Sequence, residues 1–296
     1  MAEQHRFWYC TAAFAWLLLG ISAYRASDQA KDLATLQQKI DDLDRGGKYR
    51  EAIPLAEEHL KLVESTIGSD RAETAASCNK LGDLYRENGE YAKAKPICER
   101  GLRIREKVMG PDDPHTAESL SGLAMIYAAI GDPKTAEPLC ERALKIREKA
   151  LGPEHPDTAS SLNDLGLLSH KMGEYAQAEP FYHRALQIRE KALDPEHPDI
   201  AETLNNLAQL HRAVGDYAKA EPLYQRALEI REKTQGSEHP DTARVLGNLG
   251  MLYRNMGNYR KAEPLCQQAL KICERTLGPE HLETAGIMDN LGGGLP

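Results

Sequence analysis

Histidine is the first residue type whose spacing in this chain suggests chemistry, because imidazole binds metals and transfers protons near neutral pH. His155, His197 and His239 each precede Pro-Asp, and they recur every 42 residues. Residues repeated at this spacing lie in successive structural units, strung along the molecule rather than gathered at one site. We therefore expect them to serve in loops or as helix caps, and they predict neither a metal site nor an acid–base pair.

Other sequence signatures of catalysis are also missing. Gly46-Gly47-Lys48 lacks the upstream glycine of a phosphate-binding loop, and the sequence contains neither GxSxG nor HExxH. The sequence thus predicts no enzyme activity, no catalytic residue and no cofactor.

The cysteines suggest packing rather than chemistry. Cys98, Cys140 and Cys266 share one position of the repeating unit, and Cys78 takes a leucine position. None has the spacing of a zinc-ligand pair. We expect small core residues, with a Cys78–Cys98 disulfide across one hairpin as an alternative.

Composition excludes one class of partner. The 296 residues include 37 basic and 45 acidic side chains, giving a formal charge of −8. A nucleic-acid-binding surface needs an excess of positive charge. The chain is therefore expected to bind no nucleic acid.

An uncharged segment near the N-terminus differs from the rest. Residues 7–24 carry no charge and are flanked by Arg6 and Arg25. Eighteen apolar residues just suffice to span a bilayer as a helix. We predict for residues 1–27 a membrane anchor or signal, which would make the protein membrane-anchored or exported, with membrane contact through this segment only. The alternatives are a signal peptide cleaved after Ala23, or a helix that caps the fold of a cytoplasmic protein.

A repeat of 42 residues organises the remaining chain. Units begin at residues 32, 74, 116, 158, 200 and 242, and residues are given below by position within the unit. Residues 28–73 hold a degenerate first repeat, 74–283 five regular repeats and 284–296 a half repeat. The glycine of position 16 recurs in every full unit: Gly47, Gly89, Gly131, Gly173, Gly215 and Gly257.

Each unit is predicted to form two antiparallel helices. In the unit starting at residue 200, apolar residues recur with helical periodicity on both sides of Gly215. We expect Gly215 to end the first helix with a positive φ and Asp216 to cap the second. The Asp of position 42, such as Asp199, or the Thr of position 1 is expected to cap the next first helix. Tyrosines at positions 12, 18 and 25 are expected to pack in the core.

The hairpins resemble tetratricopeptide repeats, whose usual unit has 34 residues. The first helix around Leu204 to Ala208, the string from Ala220 to Lys233 and the loop from Gly152 to Thr158 look like the repeats of kinesin light chains and nephrocystin-3-like proteins. The resemblance implies an all-α, right-handed superhelical solenoid of about six repeats plus a terminal half repeat. It also implies a protein–protein interaction scaffold.

The face of the first helices opposite their apolar stripe is predicted to line the concave side of the solenoid. Amides suit the backbone of a bound peptide, and arginine suits carboxylates. The resemblance implies partner segments that are acidic with an apolar anchor, held over Met125, Leu167 and Met251. The predicted peptide-binding residues are Asn79, Lys80, Arg86, Asn163, His170, Asn205, Asn206, Gln209, Arg212, Asn248 and Arg254.

Two alternative functions follow from the same resemblance. A cargo adaptor of the kinesin-light-chain type needs a long coiled coil, whereas Leu33, Leu36, Ile40 and Leu43 make barely two heptads. A regulatory repeat fragment of a larger signalling protein needs a catalytic domain beyond one end of this chain.

Overall fold

The computed structural model describes residues 31–292, and within them the chain forms thirteen α-helices joined by short loops. The predicted anchor or signal at residues 1–27 lies outside the described residues. The helices are α1 (31–45), α2 (Tyr49–Thr66), α3 (Ala72–Glu87), α4 (Tyr91–Val108), α5 (Pro114–Ala129), α6 (Pro133–Ala150), α7 (Pro156–Lys171), α8 (Tyr175–Ala192), α9 (Pro198–Ala213), α10 (Tyr217–Gln235), α11 (Pro240–Asn255), α12 (Tyr259–Thr276) and α13 (Leu282–Gly292).

The glycine of position 16 turns the chain from the first to the second helix of each hairpin. All six of these glycines have positive φ, between 66° and 83°, a conformation that side chains with a Cβ rarely adopt. Asp216 then caps α10 by accepting a hydrogen bond from the Lys219 backbone N–H at 3.4 Å. The predicted hairpin turn is therefore confirmed.

The predicted start of the first helices was wrong by two residues. His155, His197 and His239 are the N-caps of α7, α9 and α11, and each Nδ1 accepts the backbone N–H two residues later at 3.1 to 3.2 Å. The proline that follows each histidine fills the first helical position, where its missing N–H costs nothing. The helix thus begins before the aspartate that we expected to cap it. The capping role of the histidines is confirmed.

The threonine of position 1 closes the preceding loop instead of capping the helix. Its hydroxyl donates to the carbonyl of a glycine six residues earlier, at 2.8 Å for Thr158 and Gly152. The glycine itself has a φ of 97°. In the unit starting at residue 200, Ile200 and Asp194 replace both partners together, so the contact is absent there.

The core lies between the two helices of each hairpin and between neighbouring hairpins. Alanines of position 21 are buried at the helix crossings, and Tyr182 and Tyr224 are completely buried. Five cysteines of the described chain are buried and free, so the Cys78–Cys98 disulfide is not formed. The packing interpretation was wrong for Tyr175 and Tyr259, which are 36% and 59% exposed because the hairpin turn leaves them at the edge of their helix.

A buried arginine joins four of the five regular hairpins to the next first helix. Arg105, Arg147, Arg189 and Arg231 occupy position 32 and are nearly inaccessible. The Arg189 guanidinium donates to the Asp199 carbonyl at 2.8 Å and to the Thr203 hydroxyl at 2.6 Å. A cation removed from water must be matched by such acceptors, so this position helps to fix the geometry between repeats.

The superhelix closes on itself within a single turn. A Cβ added to Gly47 would lie 2.4 Å from Cδ of Pro240, and His281 Nε2 donates to the Glu87 carbonyl at 2.9 Å. The same contacts bury Tyr49 to 6% exposure, although the matching Tyr259 is exposed. The first two hairpins therefore pack against α11 and the loop before α13, and the array forms a ring around its concave face.

Among residues 31–292, no helix combines the length and the apolar character that crossing a bilayer requires.

Candidate functional site

The concave face of the ring encloses a cavity of about 420 Å³. Its walls come almost entirely from the first helices of successive hairpins, as expected for the inner surface of a solenoid. We call this cavity the central groove. It is lined by Arg86, Glu87, Met125, Asn163, Asp164, Leu167, Lys171, Ala201, Glu202, Asn205, Asn206, Gln209, Arg231, Asp241, Arg244 and Val245.

The structure divides the predicted peptide-binding residues into two groups. Arg86, Asn163, Asn205, Asn206 and Gln209 line the central groove, as do the predicted apolar floor residues Met125 and Leu167. The other predicted residues lie along the first helices outside the groove lining: Asn79, Lys80, His170, Arg212, Asn248, Arg254 and the floor residue Met251.

Asparagines of the first helices, three of them in the groove lining, form a ladder of hydrogen bonds across three repeats. Asn248 Nδ2 donates to Asn205 Oδ1 at 2.9 Å, and Asn206 Nδ2 donates to Asn163 Oδ1 at 3.1 Å. Asn205 Nδ2 and Asn206 Oδ1 are 3.4 Å apart. Asn163, Asn205 and Asn206 are only 2% to 8% exposed, so their amides mainly join successive first helices.

Asn79 and Lys80 are held by neighbouring helices. Asn79 is buried and donates to the Ser119 hydroxyl at 2.7 Å. Lys80 Nζ lies 3.2 Å from a carboxylate oxygen of Asp41 and 2.7 Å from one of Asp44 on α1. Both side chains thus join successive hairpins in this structure.

The basic side chains of position 13 also have neighbours within the chain. Arg86 lies 2.6 Å from a Glu87 carboxylate oxygen, and this carboxylate raises the pKa of the guanidinium. The ring of His170 packs edge-on against Tyr175 with centroids 5.5 Å apart. Arg212 lies near His170 and Tyr224, while the charge of Arg254 acts on Cys266.

Charges of both signs line the central groove, and most are paired inside the chain. Arg231 and Arg244 both contact the Asp241 carboxylate. Burial raises the pKa of this carboxyl, but the two arginines and His239 together hold it at about 2. Lys171 is exposed and has no ion-pair partner within residues 31–292. It is therefore the groove cation best placed to meet a carboxylate of a partner.

Asp164 is a groove carboxyl whose pKa is raised. Burial and the neighbouring Glu202 carboxylate raise its pKa to about 6, against the opposing influence of Arg147, Ser121 and Arg189. Glu202 itself lies 3.1 Å from Arg189. Protonation of Asp164 just below neutral pH would change the charge of the groove.

Several groove residues were missed by the sequence analysis. Lys171 and Glu202 occupy positions 14 and 3 of the predicted concave face, so their positions in the repeat could have identified them. Arg231 and Asp241 lie at the junction between hairpins instead. Only the curvature of the array brings them to the groove, and the repeat pattern carries no signal for that.

A smaller cavity of about 370 Å³ lies where the two ends of the array meet. It is lined by Arg50, Ile53, Asn88, Glu90, Glu280 and His281. This cavity is a consequence of the ring closure and belongs to neither concave nor convex face.

The comparison with protein families matches nearly the whole described chain. The tetratricopeptide repeat family model aligns with residues 32–107, 76–139, 116–191, 165–233, 199–265 and 241–293. The chain belongs to the tetratricopeptide repeat family. Solved structures similar to the chain include kinesin-light-chain-like repeat proteins.

Three solved structures illustrate the similarity of the tetratricopeptide array. BtubC (BKLC) from P. vanneervenii is 25% identical, with a TM-score of 0.54 over 82% of this chain and 92% of that chain. A chain from Podosopora anserina, assigned as a kinesin light chain with nearly identical TPR-like repeats, is 27% identical, with a TM-score of 0.51 over 70% and 98% of the two chains. A Rap protein complexed with competence and sporulation factor is 15% identical, with a TM-score of 0.58 over 89% and 87%, and it shows the fold alone. No match to the chain was found among curated proteins.

The tetratricopeptide architecture supports a protein-interaction scaffold. A solenoid exposes a long concave surface that is held rigid by contacts between neighbouring repeats. The helical hairpins and the central groove of this chain fit that use.

Proposed function

We propose that this tetratricopeptide protein is a scaffold that binds a short segment of a partner protein in the central groove. The observation that carries the proposal is the groove itself, a cavity of about 420 Å³ with an apolar floor and polar groups at its sides. Sites for small ligands and peptide anchors typically have volumes of this order, roughly 300 to 1,000 Å³.

The floor of the groove suits an apolar side chain. Met125 and Leu167 occupy the same position of neighbouring repeats and are both partly exposed in the groove. When an apolar side chain of a partner packs on this floor, apolar surface of both the partner and the floor is removed from water. Methionine adapts its shape to different partners, which favours binding of an anchor such as leucine or an aromatic residue.

The polar groups around this floor favour a carboxylate beside the anchor. Lys171 lies one turn after Leu167 on α7 and has no partner of opposite charge in the described part of the chain. Gln209 on α9 makes no hydrogen bond there either and supplies an amide. The partner segment is therefore proposed to combine an apolar anchor with an acidic side chain or a terminal carboxylate.

A peptide selection with matched charge variants tests the proposal. Short synthetic peptides are selected on the immobilised full chain, and the dissociation constant of each selected peptide is then measured by fluorescence anisotropy. We expect Lys171→Glu to weaken binding at least tenfold, because it removes one charge-assisted contact and adds a repulsion.

Lys145→Glu is the control for this experiment. Lys145 is an exposed lysine on α6, a second helix that does not line the groove, so the same change of charge should leave binding unaltered. Both variants should keep the circular dichroism of the original protein. Selected peptides that bind the Lys171 variant normally but lose affinity for the Lys145 variant would place the binding surface outside the groove.

A further inference from the structure

A tyrosine–carboxylate pair recurs at junctions between neighbouring repeats. The tyrosine of position 12 on a first helix donates its hydroxyl to a glutamate on the second helix of the preceding hairpin. The distance is 3.3 Å from Tyr127 to Glu99 and 2.6 Å from Tyr253 to Glu221, and Tyr85 pairs with Glu57 in the same way. The glutamate occupies position 22 or position 26 of its unit.

One junction carries histidines in place of this pair. His211 on α9 replaces the tyrosine of position 12, and His183 on α8 occupies position 26, where Glu57 and Glu99 stand in other units. Glu179 remains at position 22, one helical turn before His183. The junction between α8 and α9 thus has two imidazoles and one carboxylate where three other junctions have a phenol paired with a carboxylate.

The three side chains converge on one point. One ligand atom from each lies within 4.8 Å of the other two, and Glu179 Oε1 is 3.7 Å from His183 Nε2. His211 is buried, whereas the side chains of His183 and Glu179 are about half exposed. One side of the cluster is therefore held rigidly by the core, and the other side is open to an ion from solvent.

We infer that Glu179, His183 and His211 bind a divalent transition-metal ion of the zinc type. Two imidazole nitrogens and one carboxylate oxygen form a common three-ligand set for zinc, and water can occupy the fourth position of a tetrahedral site. The same ligands also accept copper, nickel or cobalt, so availability decides which ion fills the site.

The charges around the cluster agree with a cation at neutral pH. An imidazole binds a metal ion in its neutral form. Glu179 and Asp216 attract a cation, whereas Lys219 opposes it. Lys219 is held 2.9 Å from the Asp216 carboxylate, which offsets its repulsion.

The ion would join two repeats. Glu179 and His183 belong to the second helix of one hairpin and His211 to the first helix of the next, so binding ties α8 to α9. Because the ligands come together only in the folded array, metal binding stabilises the folded state. The site shares no residue with the lining of the central groove.

Zinc titration of the full chain tests this inference. The protein is freed of metal with a chelator, and zinc binding is followed by calorimetry and by thermal melting. Cobalt replaces zinc in a parallel titration, because its visible spectrum reports tetrahedral coordination. We expect one zinc ion to bind and to raise the melting temperature, and we expect affinity at this site to fall at least tenfold in His183→Gln and His211→Tyr.

Both substitutions introduce residues that other repeats carry at the same positions, so the variants should fold. Glutamine stands at position 26 as Gln225 and Gln267, and tyrosine stands at position 12 as Tyr253. His115→Gln is the control, since His115 is an exposed histidine outside the cluster. The inference is overturned if zinc binds the two variants as tightly as the original protein, or if zinc does not raise the melting temperature of the original protein.

Discussion

At the scale of single residues, several side chains of the concave face hydrogen-bond one another. The groove asparagines were predicted from their type and repeat position, and Asn163, Asn205 and Asn206 do line the groove. Their mutual hydrogen bonds could not be predicted, because these depend on the distance between neighbouring first helices. Sequence position therefore located the surface but did not show which of its groups are available.

The pKa of Asp164 predicts that binding in the groove depends on pH. The carboxyl is mostly ionised at pH 7.5 and mostly protonated at pH 5, because burial raises its pKa to about 6. A peptide carboxylate, with a pKa near 4.3, stays ionised over most of that range. Selected acidic peptides should thus bind roughly fivefold more tightly at pH 5.5 than at pH 7.5, the effect expected of one charge in a partly hydrated site.

Asp164→Asn checks this prediction. The variant should bind at pH 7.5 as tightly as the original protein does at pH 5.5, and its affinity should change little between the two values. Dissociation constants of the original protein and the variant, measured at both pH values, test this expectation. If binding to the variant depended on pH as before, the pH dependence would come from another group, such as His170 in the same region.

At the scale of helices, the sequence predicted the hairpins and their glycine turns but not the contacts that join one hairpin to the next. Periodicity identifies both helices of a unit because each buries one apolar stripe. The arginine of position 32 appears in a run of charged residues and was assigned no role, yet it is buried in four repeats. Its burial follows from the angle between hairpins, which the pattern of a single helix does not contain.

Two arginines of α8 test whether the buried arginine of position 32 contributes more to stability than an exposed arginine does. Arg189 is 2% exposed and hydrogen-bonded to groups of two neighbouring helices, α7 and α9, whereas Arg184 forms an exposed ion pair with Glu148 at 2.9 Å. Arg189→Met should destabilise the array by about 2–4 kcal/mol, because buried acceptors lose their donor. Arg184→Met should cost less than about 1 kcal/mol. Urea denaturation of both variants measures the two values, and equal losses would contradict the role given to position 32.

At the scale of the whole molecule, the ring closure was not predicted by the sequence. A repeat pattern specifies which neighbours stack, while the small rotation between successive repeats decides whether distant ones meet. The buried Tyr49 and the exposed Tyr259 occupy the same position of their units, so only the closure distinguishes them. The resemblance to kinesin-light-chain repeats predicted the solenoid correctly but not its closure.

Matched glycine variants test the closure. Gly47 and Gly173 both have positive φ, but only Gly47 lies against another part of the chain, at Pro240. Valine at either position strains the turn by about 1–2 kcal/mol. Gly47→Val should in addition open the ring and increase the radius of gyration in small-angle X-ray scattering, whereas Gly173→Val should leave it unchanged. The same radius of gyration in both variants would contradict the closure.

The most direct test of the central claim is to locate a bound partner segment on the tetratricopeptide array. A selected peptide carrying a photoreactive diazirine in its apolar anchor is cross-linked to the full chain, and the modified residues are identified by mass spectrometry. We expect cross-links to the first helices around Met125, Leu167 and Gln209, which line the central groove. Cross-links confined to second helices such as α6 and α8 would contradict it.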